Sequence, residues 1–385
     1  MTPPSKSQAP NPNAHTVHDT AATVAIVIPS LNPDDSLPAY VASLRALADW
    51  PIVLVDDGSD ASHAPVFDQC ASATTGVTLL RHEVNKGKGR ALKTAFTHLL
   101  SKYPSLQGCI TCDSDGQHLP KDVLRCAQAM AANPEALVLG CRTFELSHVP
   151  FRSRFGNTAI RTFFAIATGR RFLDTQTGLR AIPATFMREL IDCPGERFDF
   201  ETRMLLTLGS RPLVEVPIET VYLEGNKSSH FNPFRDSTRI LGIVCGHILV
   251  RLGRFTAVSL ASFALDIALF KLLYSFVFAG LSSCRLALSV GLARIASATF
   301  NYLLNLHFVF GGAKTRGSLA KYAVLAIGIM AASYLLTSAL LSASAFARAH
   351  VATSKAAIDL ALFLASFAVQ RLCIFTHSRA RALDN

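Results

Sequence analysis

The chain has 385 residues, half of them hydrophobic, with 37 Lys and Arg against 27 Asp and Glu. From Arg251 onward 13 residues are basic and 3 acidic, so the whole surplus of +10 sits in the most apolar third. This placement excludes a nucleic-acid binder, whose basic residues gather on a soluble surface; apolar runs flanked by Lys and Arg mark a membrane domain instead.

The length leaves room for two or three domains. Residues 1–20, rich in Pro, Asn, Ser and Thr, read as a disordered tail and not as a signal peptide. Beyond them, short Val- and Ile-rich runs at 22–29, 52–56, 77–81, 108–112 and 136–140 predict strands. Apolar residues at helical spacing over 37–48, 89–100 and 121–131 predict helices between them. Such alternation implies an α/β domain with a mostly parallel sheet and ligands at the carboxyl ends of its strands. Pro29, Asp56, Asp57 and Asp113 fall at such ends, where Asp is also an ordinary turn former or helix cap. Of nine scattered cysteines only Cys109 and Cys112 make a C-x-x-C pair, and its strand setting reads as buried thiols in a reducing compartment.

The most informative stretch is Cys109-Ile-Thr-Cys-Asp113-Ser-Asp115-Gly-Gln-His118. An apolar strand ends in two carboxylates two residues apart, able to converge on one hard divalent cation, with Gln117 as a third oxygen donor. Mg²⁺ and Mn²⁺ favour such oxygen sites when they also carry a phosphate. For Gln117 and His118 a simple polar loop is the alternative.

Four motifs follow one another in order: Val27-Ile-Pro29-Ser, Val55-Asp-Asp-Gly-Ser59, Asn85-Lys-Gly-Lys-Gly-Arg-Ala91 and Asp113-Ser-Asp-Gly-Gln-His118. Gly140-Cys-Arg142, Asp174-Thr-Gln-Thr-Gly-Leu-Arg180, Phe198-Asp-Phe-Glu-Thr202, Ser228-Ser-His-Phe231 and Arg235-Asp-Ser237 extend the series. Over residues 22–240 the chain resembles the GT-A fold of family 2 glycosyltransferases. The branch is that of polyprenyl-phosphate hexosyltransferases, such as dolichyl-phosphate mannose synthase and its bacterial glucosyl relatives. It departs from them at Cys141, where relatives carry Gly-Ser-Arg, and at Arg203, where an acidic residue is common.

The resemblance implies an inverting, metal-dependent transfer of a hexose, glucose or mannose, from a nucleotide sugar (UDP-glucose or GDP-mannose) to a polyprenyl phosphate. Asp113, Asp115 and Gln117 would hold Mg²⁺ or Mn²⁺ on the departing diphosphate, an electrostatic contribution made mainly in the transition state. Pro29, Asp35 and Asp57 would line the base and ribose pocket, with Lys88 and Asp113 facing the nucleotide sugar. Arg142, Arg152, Arg154 and Arg180 lie where the family binds acceptor phosphate, and arginine's fork suits that task. Arg142 joins Asp113 and Asp115 as a catalytic candidate. An already ionised phosphate needs no strong general base. Asp199 and Glu201 are candidates to orient a sugar hydroxyl.

Residues 21–226 thus form the transferase domain in this reading, and 227–254, basic with an apolar run at 240–250, an interfacial segment at the lipid headgroups. Four apolar stretches follow at 255–278, 286–310, 322–346 and 356–376, each long enough to span a bilayer as a helix. Residues 377–385 form a tail. Arg251, Arg254, Lys314, Arg316, Lys321, Arg379 and Arg381 favour one side of these spans, which puts both termini and the transferase in the cytoplasm. Two hairpins repeat: Arg254-Phe255 and Lys321-Tyr322 open them 67 residues apart, and runs ending in Phe310 and Phe375 close them 65 apart. This block resembles the GtrA-like family, thought to help move polyprenyl-phosphate sugars across membranes. Inside the spans Asp266 and Arg294 are placed to pair, and Arg294, Asn301 and Asn305 share a helical face. Interhelical hydrogen bonding and a substrate path are both open for them.

Two other readings compete. A processive polysaccharide synthase would carry a Gln-X-X-Arg-Trp motif, and the only tryptophan is Trp50. A lipid-linked sugar translocase with a binding-only soluble domain would be free to lose the Asp113/Asp115 pair. Product flipping, simple anchoring and homo-oligomer formation all remain open for the spans.

Overall fold

The computed structural model describes residues 24–73, 76–142, 151–219, 233–281, 284–311 and 317–376. The side chains of 73, 151–159, 233–237, 287, 348, 351–352 and 355 are outside that description. The 1–20 tail, Ser228–Phe231, the side chains of Arg152, Arg154 and Arg235–Ser237, and 377–385 therefore lie outside the described residues. The chain divides into two compact units: 1–151 with 173–240 and 379–385, and 152–172 with 241–378.

In the first unit, β1 (Val24–Ser30), β2 (Ile52–Asp56), β3 (Val77–Arg81), β4 (Gly108–Thr111) and β5 (Leu137–Arg142) alternate with α1 (Leu37–Arg45), α2 (Ala64–Ala73), α3 (Lys88–Lys102) and α4 (Pro120–Ala132). These match the predicted elements apart from α2. All seven residues of β1 are buried, as expected of a parallel strand covered on both faces. Further on come α5 (Phe151–Thr168), β6 (Arg180–Pro183), α6 (Ala184–Ile191), α7 (Asp199–Thr207) and β7 (Leu213–Ile218). The seven strands form one sheet in the order β3-β2-β1-β4-β6-β5-β7.

Only β6 runs antiparallel, between β4 and β5, with Thr111 opposite Arg180 and Gly108 opposite Pro183. Its reversed direction delivers the 174–179 loop to the carboxyl end of β4, beside Asp113. Neither β6 nor β7 shows a long apolar run, so their pairing is a tertiary feature.

The second unit is helical: α5, α8 (Pro233–Leu272) from Leu241 onward, α9 (Arg285–Leu304), α10 (Ser318–Ala343), α11 (Ala345–Ala349) and α12 (Val351–Val369). Residues 152–172, which lie between β5 and β6 in sequence, belong to this unit. From Pro233 to Leu272 the expected interfacial segment and first span run as one continuous helix, α8, of 40 residues. At about 1.5 Å per residue it is roughly twice as long as the hydrocarbon core is thick, so part of it must lie outside that core. Among the described residues three stretches are long and apolar enough to cross a membrane: Thr238–Val277, Ser318–Ala343 and Ala356–Ile374. The stretch expected as the second span folds as α9, which is not among these three; Ser289, Arg294, Ser297 and Asn301 make it more polar.

The repeat is built in detail. Both hairpins close in a π-turn, Asn305–Val309 and Gln370–Ile374, sealed by Phe310 N–H to Asn305 O (2.9 Å) and Phe375 N–H to Gln370 O (2.8 Å). The two closing rings stack at 4.9 Å, and Asn305 Nδ2 donates to Gln370 Oε1 at 3.4 Å. Phe255 meets Phe367 at 5.4 Å as Tyr322 meets Tyr302 at 5.5 Å. Contacts exchanged between equivalent positions are what a local two-fold relation produces. Arg294 pairs with Asp266 at 3.3 Å, as expected. Asn301 donates to Ser262 and accepts from Asn305 and Tyr322, so these amides tie helices together.

At Gly108 a Cβ would lie 2.3 Å from Ile182 O on β6. Gly108→Ala is expected to destabilise the first unit by about 1–3 kcal/mol through overpacking, read as a lower melting temperature of the purified protein.

Candidate active site

The carboxyl ends of β1, β2 and β4 open onto a cleft of about 220 Å³. Pro29, Ser30 and Asn32 line it from β1 and its loop, Asp57 from β2, Gly87 and Lys88 from the start of α3, Asp113 and Asp115 from β4. Arg197 and Phe198 close it from the loop before α7. This is the crevice that an open α/β sheet forms where neighbouring connections diverge. Ser30 Oγ is buried there with no hydrogen-bond partner. Asp35, expected in this lining, is exposed and outside it; its neighbour Asp34 takes the place, because α1 begins only at Leu37 and the turn presents the earlier residue.

Asp57 does more than line the cleft. Its carboxylate accepts from the backbone N–H groups of Lys86 (3.0 Å) and Gly87 (2.7 Å) and from His82 Nδ1 (2.7 Å). That fixes the Asn85–Lys88 turn and sets a negative charge at the N-terminus of α3. Gly87, at φ +101°, could not carry a Cβ, which would lie 2.4 Å from Glu196 O.

Lys88 Nζ lies 2.7 Å from Asp113 Oδ1 and 3.1 Å from Glu201 Oε1. Burial alone would raise the Asp113 carboxyl, but Lys88, with help from His118, holds it down from 3.8 to about 2. Burial, then the neighbouring Asp113 charge, pushes the Asp115 carboxyl up. Asp115 Oδ1 accepts from the Gln117 backbone N–H at 3.1 Å. His118 Nδ1 accepts from the Asp113 backbone N–H at 3.2 Å, and burial lowers the imidazole, which Asp113 and Asp115 only partly offset. A neutral His118 therefore positions the Asp113 loop, and Tyr40 donates to the His118 carbonyl at 2.8 Å.

Among the described residues no three His, Cys, Asp or Glu side chains are grouped to hold a metal. Two carboxylates facing one cleft, one of them raised by burial and then by the other's charge, nonetheless fit Mg²⁺ or Mn²⁺, which take their remaining oxygens from water and phosphate. Gln117 lies in a neighbouring pocket of about 50 Å³ with Asp113, His118 and Arg142.

Of the expected acceptor arginines, Arg142 reaches that second pocket, with Nε and Nη2 bound to the two oxygens of Asp174 at 2.6 and 3.0 Å. Burial would raise Asp174, yet Arg142 lowers it. Arg180 is corrected: it is 1% exposed, and donates to the carbonyls of Thr177 and Glu201 at 2.9 Å each. Its fork holds the 174–179 loop to α7 and has no open edge for an acceptor. Asp199 likewise turns to Arg203 and Arg239, while Glu201 serves Lys88. Asn32, His82 and Arg197 were not singled out from sequence, and Phe198 entered only as the first residue of the Phe198–Thr202 motif, with no place in the cleft; the Asn-Pro turn after β1 was a usable signal for Asn32, whereas the others are assembled by folding.

Two predictions follow from these contacts. Asp57→Ala orphans two backbone donors and His82, with an expected loss of about 2–3 kcal/mol in chemical denaturation. Asp113 is depressed below its ordinary value, so its contribution is present above about pH 4 and lost as pH falls from 3.8 towards about 2. In Lys88→Met burial raises the same carboxyl, and the sign reverses: the variant gains stability relative to wild type on acidification, measured by melting at pH 7 and pH 4.

Residues 25–192 match the family described as glycosyl transferase family 2, and residues 254–375 the GtrA/DPMS transmembrane domain. The UDP-N-acetylglucosamine–dolichyl-phosphate N-acetylglucosaminyltransferase of Methanococcus voltae is 24% identical over 247 residues, covering 59% of this chain and 98% of that protein. The polyprenol monophosphomannose synthase of Mycolicibacterium smegmatis is 26% identical over 225 residues, covering 56% and 83%. Among solved structures, glucosyl-3-phosphoglycerate synthase from Mycobacterium tuberculosis aligns at 16% identity with a TM-score of 0.46, covering 63% of this chain and 84% of that one. The chain is a glycosyltransferase, made of a family 2 glycosyltransferase domain joined to a GtrA/DPMS transmembrane domain.

Proposed function

We propose that this enzyme transfers a hexose from a nucleoside-diphosphate sugar to a polyprenyl phosphate, with inversion and with a divalent cation on Asp113 and Asp115. The observation that carries the reading is the pair of carboxylates on one cleft wall, with the Lys88 ammonium 2.7 Å from the first of them. The named relatives act on dolichyl or polyprenyl phosphates, which supports the acceptor class. Their sugars differ, N-acetylglucosamine in one and mannose in the other, so the donor screen extends beyond glucose and mannose.

In this reading Pro29, Ser30 and Asn32 shape the nucleoside end, and the buried Ser30 hydroxyl gains the partner it lacks. Asp57 holds the turn that brings Lys88 to the diphosphate. Mg²⁺ or Mn²⁺, when bound, neutralises charge on the departing diphosphate. Lys88 adds a fixed positive charge at the same place without reorganisation during the reaction. A phosphate monoester is largely dianionic at neutral pH, so the acceptor attacks as it stands. Arg142, steadied by Asp174, borders the pocket shared with Asp113 and orients the attacking oxygen. The charge pattern around the apolar helices supports a cytoplasmic catalytic domain at a cytoplasmic membrane.

The test mixes purified protein in detergent, Mn²⁺, undecaprenyl phosphate and labelled UDP-glucose, GDP-mannose or UDP-N-acetylglucosamine. One donor should yield a lipid-linked sugar, chelation should abolish it, and Asp115→Ala should lower the rate roughly 100-fold or more. No product from any donor, or an undiminished Asp115→Ala rate, would sink the proposal.

A further inference from the structure

The helical unit buries arginine where its own repeat uses leucine. Arg371 lies in the π-turn Gln370–Ile374 and is 0% exposed. Its Nη1 reaches the carbonyls of Phe310 and Phe375 at 3.5 and 3.4 Å, and its Cζ stands 5.7 Å from the Phe310 ring centroid. Nε and Nη2 are buried with no hydrogen-bond partner. That is the same side-on edge that Arg142 presents to both oxygens of Asp174. On α8, Arg251 gives Nε to His247 Nε2 at 3.1 Å and leaves Nη1 buried without an acceptor. Arg170, at the end of α5 and 5% exposed, is the third cation; it and Arg251 act electrostatically on Arg371. Among the described residues neither Arg251 nor Arg371 has a carboxylate within salt-bridge distance.

Burying a cation without a counter-charge costs several kcal/mol, and like charges nearby add to that cost. The repeat supplies an internal control. The position equivalent to Arg371, 65 residues earlier, is Leu306, 5% exposed in the same kind of turn. The turn therefore needs no arginine. The backbone also yields to the guanidinium: Gly169 has φ +72°, and a Cβ there would lie 2.7 Å from Arg371 Cζ. A side chain that the fold does not need, left with two unpartnered donors on one bidentate edge, is arranged for an anion with two acceptor oxygens.

We propose that Arg371, Arg251 and Arg170 form a phosphate-binding site in the helical unit, occupied by the phosphate of a lipid headgroup or by free phosphate. The site lies within the helical unit, and it does not depend on which sugar is transferred.

The test follows the melting of the full-length protein in neutral detergent during titration with undecaprenyl phosphate, phosphatidylglycerol or inorganic phosphate, with no sugar nucleotide present. Wild type should be stabilised, and Arg371→Leu and Arg251→Gln should each weaken the apparent affinity roughly tenfold or more. Arg371→Leu places at 371 what the fold already accepts at 306, and Arg251→Gln decides the matter if that variant does not fold. A response to undecaprenyl phosphate above phosphatidylglycerol assigns the site to the polyprenyl substrate or product. Equal responses to the two lipids assign it to ordinary phospholipid, and a matching response to inorganic phosphate assigns it to the free ion. No stabilisation of wild type by any of the three, or an unchanged response in both variants, overturns the proposal.

Discussion

The ammonium of Lys88 sits between Asp113 at 2.7 Å and Glu201 at 3.1 Å, and the cleft is organised around that contact. Asp113 stays ionised in a partly buried setting because Lys88 answers its charge. Burial, and then the charge of Asp113, leaves Asp115 with a raised carboxyl. The unequal treatment of two carboxylates on one wall leaves the cleft with negative charge still to be matched, which is the electrostatic condition for a divalent cation to bind. Behind this layer, Asp57 and His118 spend their hydrogen bonds on backbone, so the turns that carry Lys88 and Asp113 are held before any ligand arrives.

The sheet supplies the second constraint. Because β6 enters antiparallel between β4 and β5, the 174–179 loop meets the end of β4 directly. Thr111 Oγ1 donates to Gly178 O at 2.8 Å, and a Cβ on Gly178 would lie 2.2 Å from Asp113 Oδ2. One strand reversal thus brings the 176–178 turn to the small pocket that Arg142 and Asp113 share. Arg180 belongs to this construction as a strut, which explains why a motif arginine is buried instead of facing a ligand.

In the helical unit Asp266 answers Arg294 and the amides of Asn301 and Asn305 are shared between helices, whereas Arg251 and Arg371 have no carboxylate partner among the described residues. Its local two-fold arrangement makes departures from symmetry informative. Where Leu306 and Arg371 differ, the difference is in charge at matched burial, so packing alone does not account for the arginine.

The sequence by itself determined the alternation of strands and helices, the placement of Asp57 and Asp113 at strand ends, and the apolar repeat. Each rests on local periodicity or on turn chemistry that a few neighbouring residues specify. The Asp266–Arg294 pair was legible because charges are scarce in such segments. Tertiary structure alone decided that β6 runs backwards, that Arg180 is buried, that Asp34 and not Asp35 faces the cleft, and that Arg197 and Phe198 reach it. It also decided that α8 is continuous and that residues 152–172 pack with the membrane helices. Those outcomes depend on which distant backbone groups are brought within hydrogen-bonding reach, and no window of neighbouring residues encodes that.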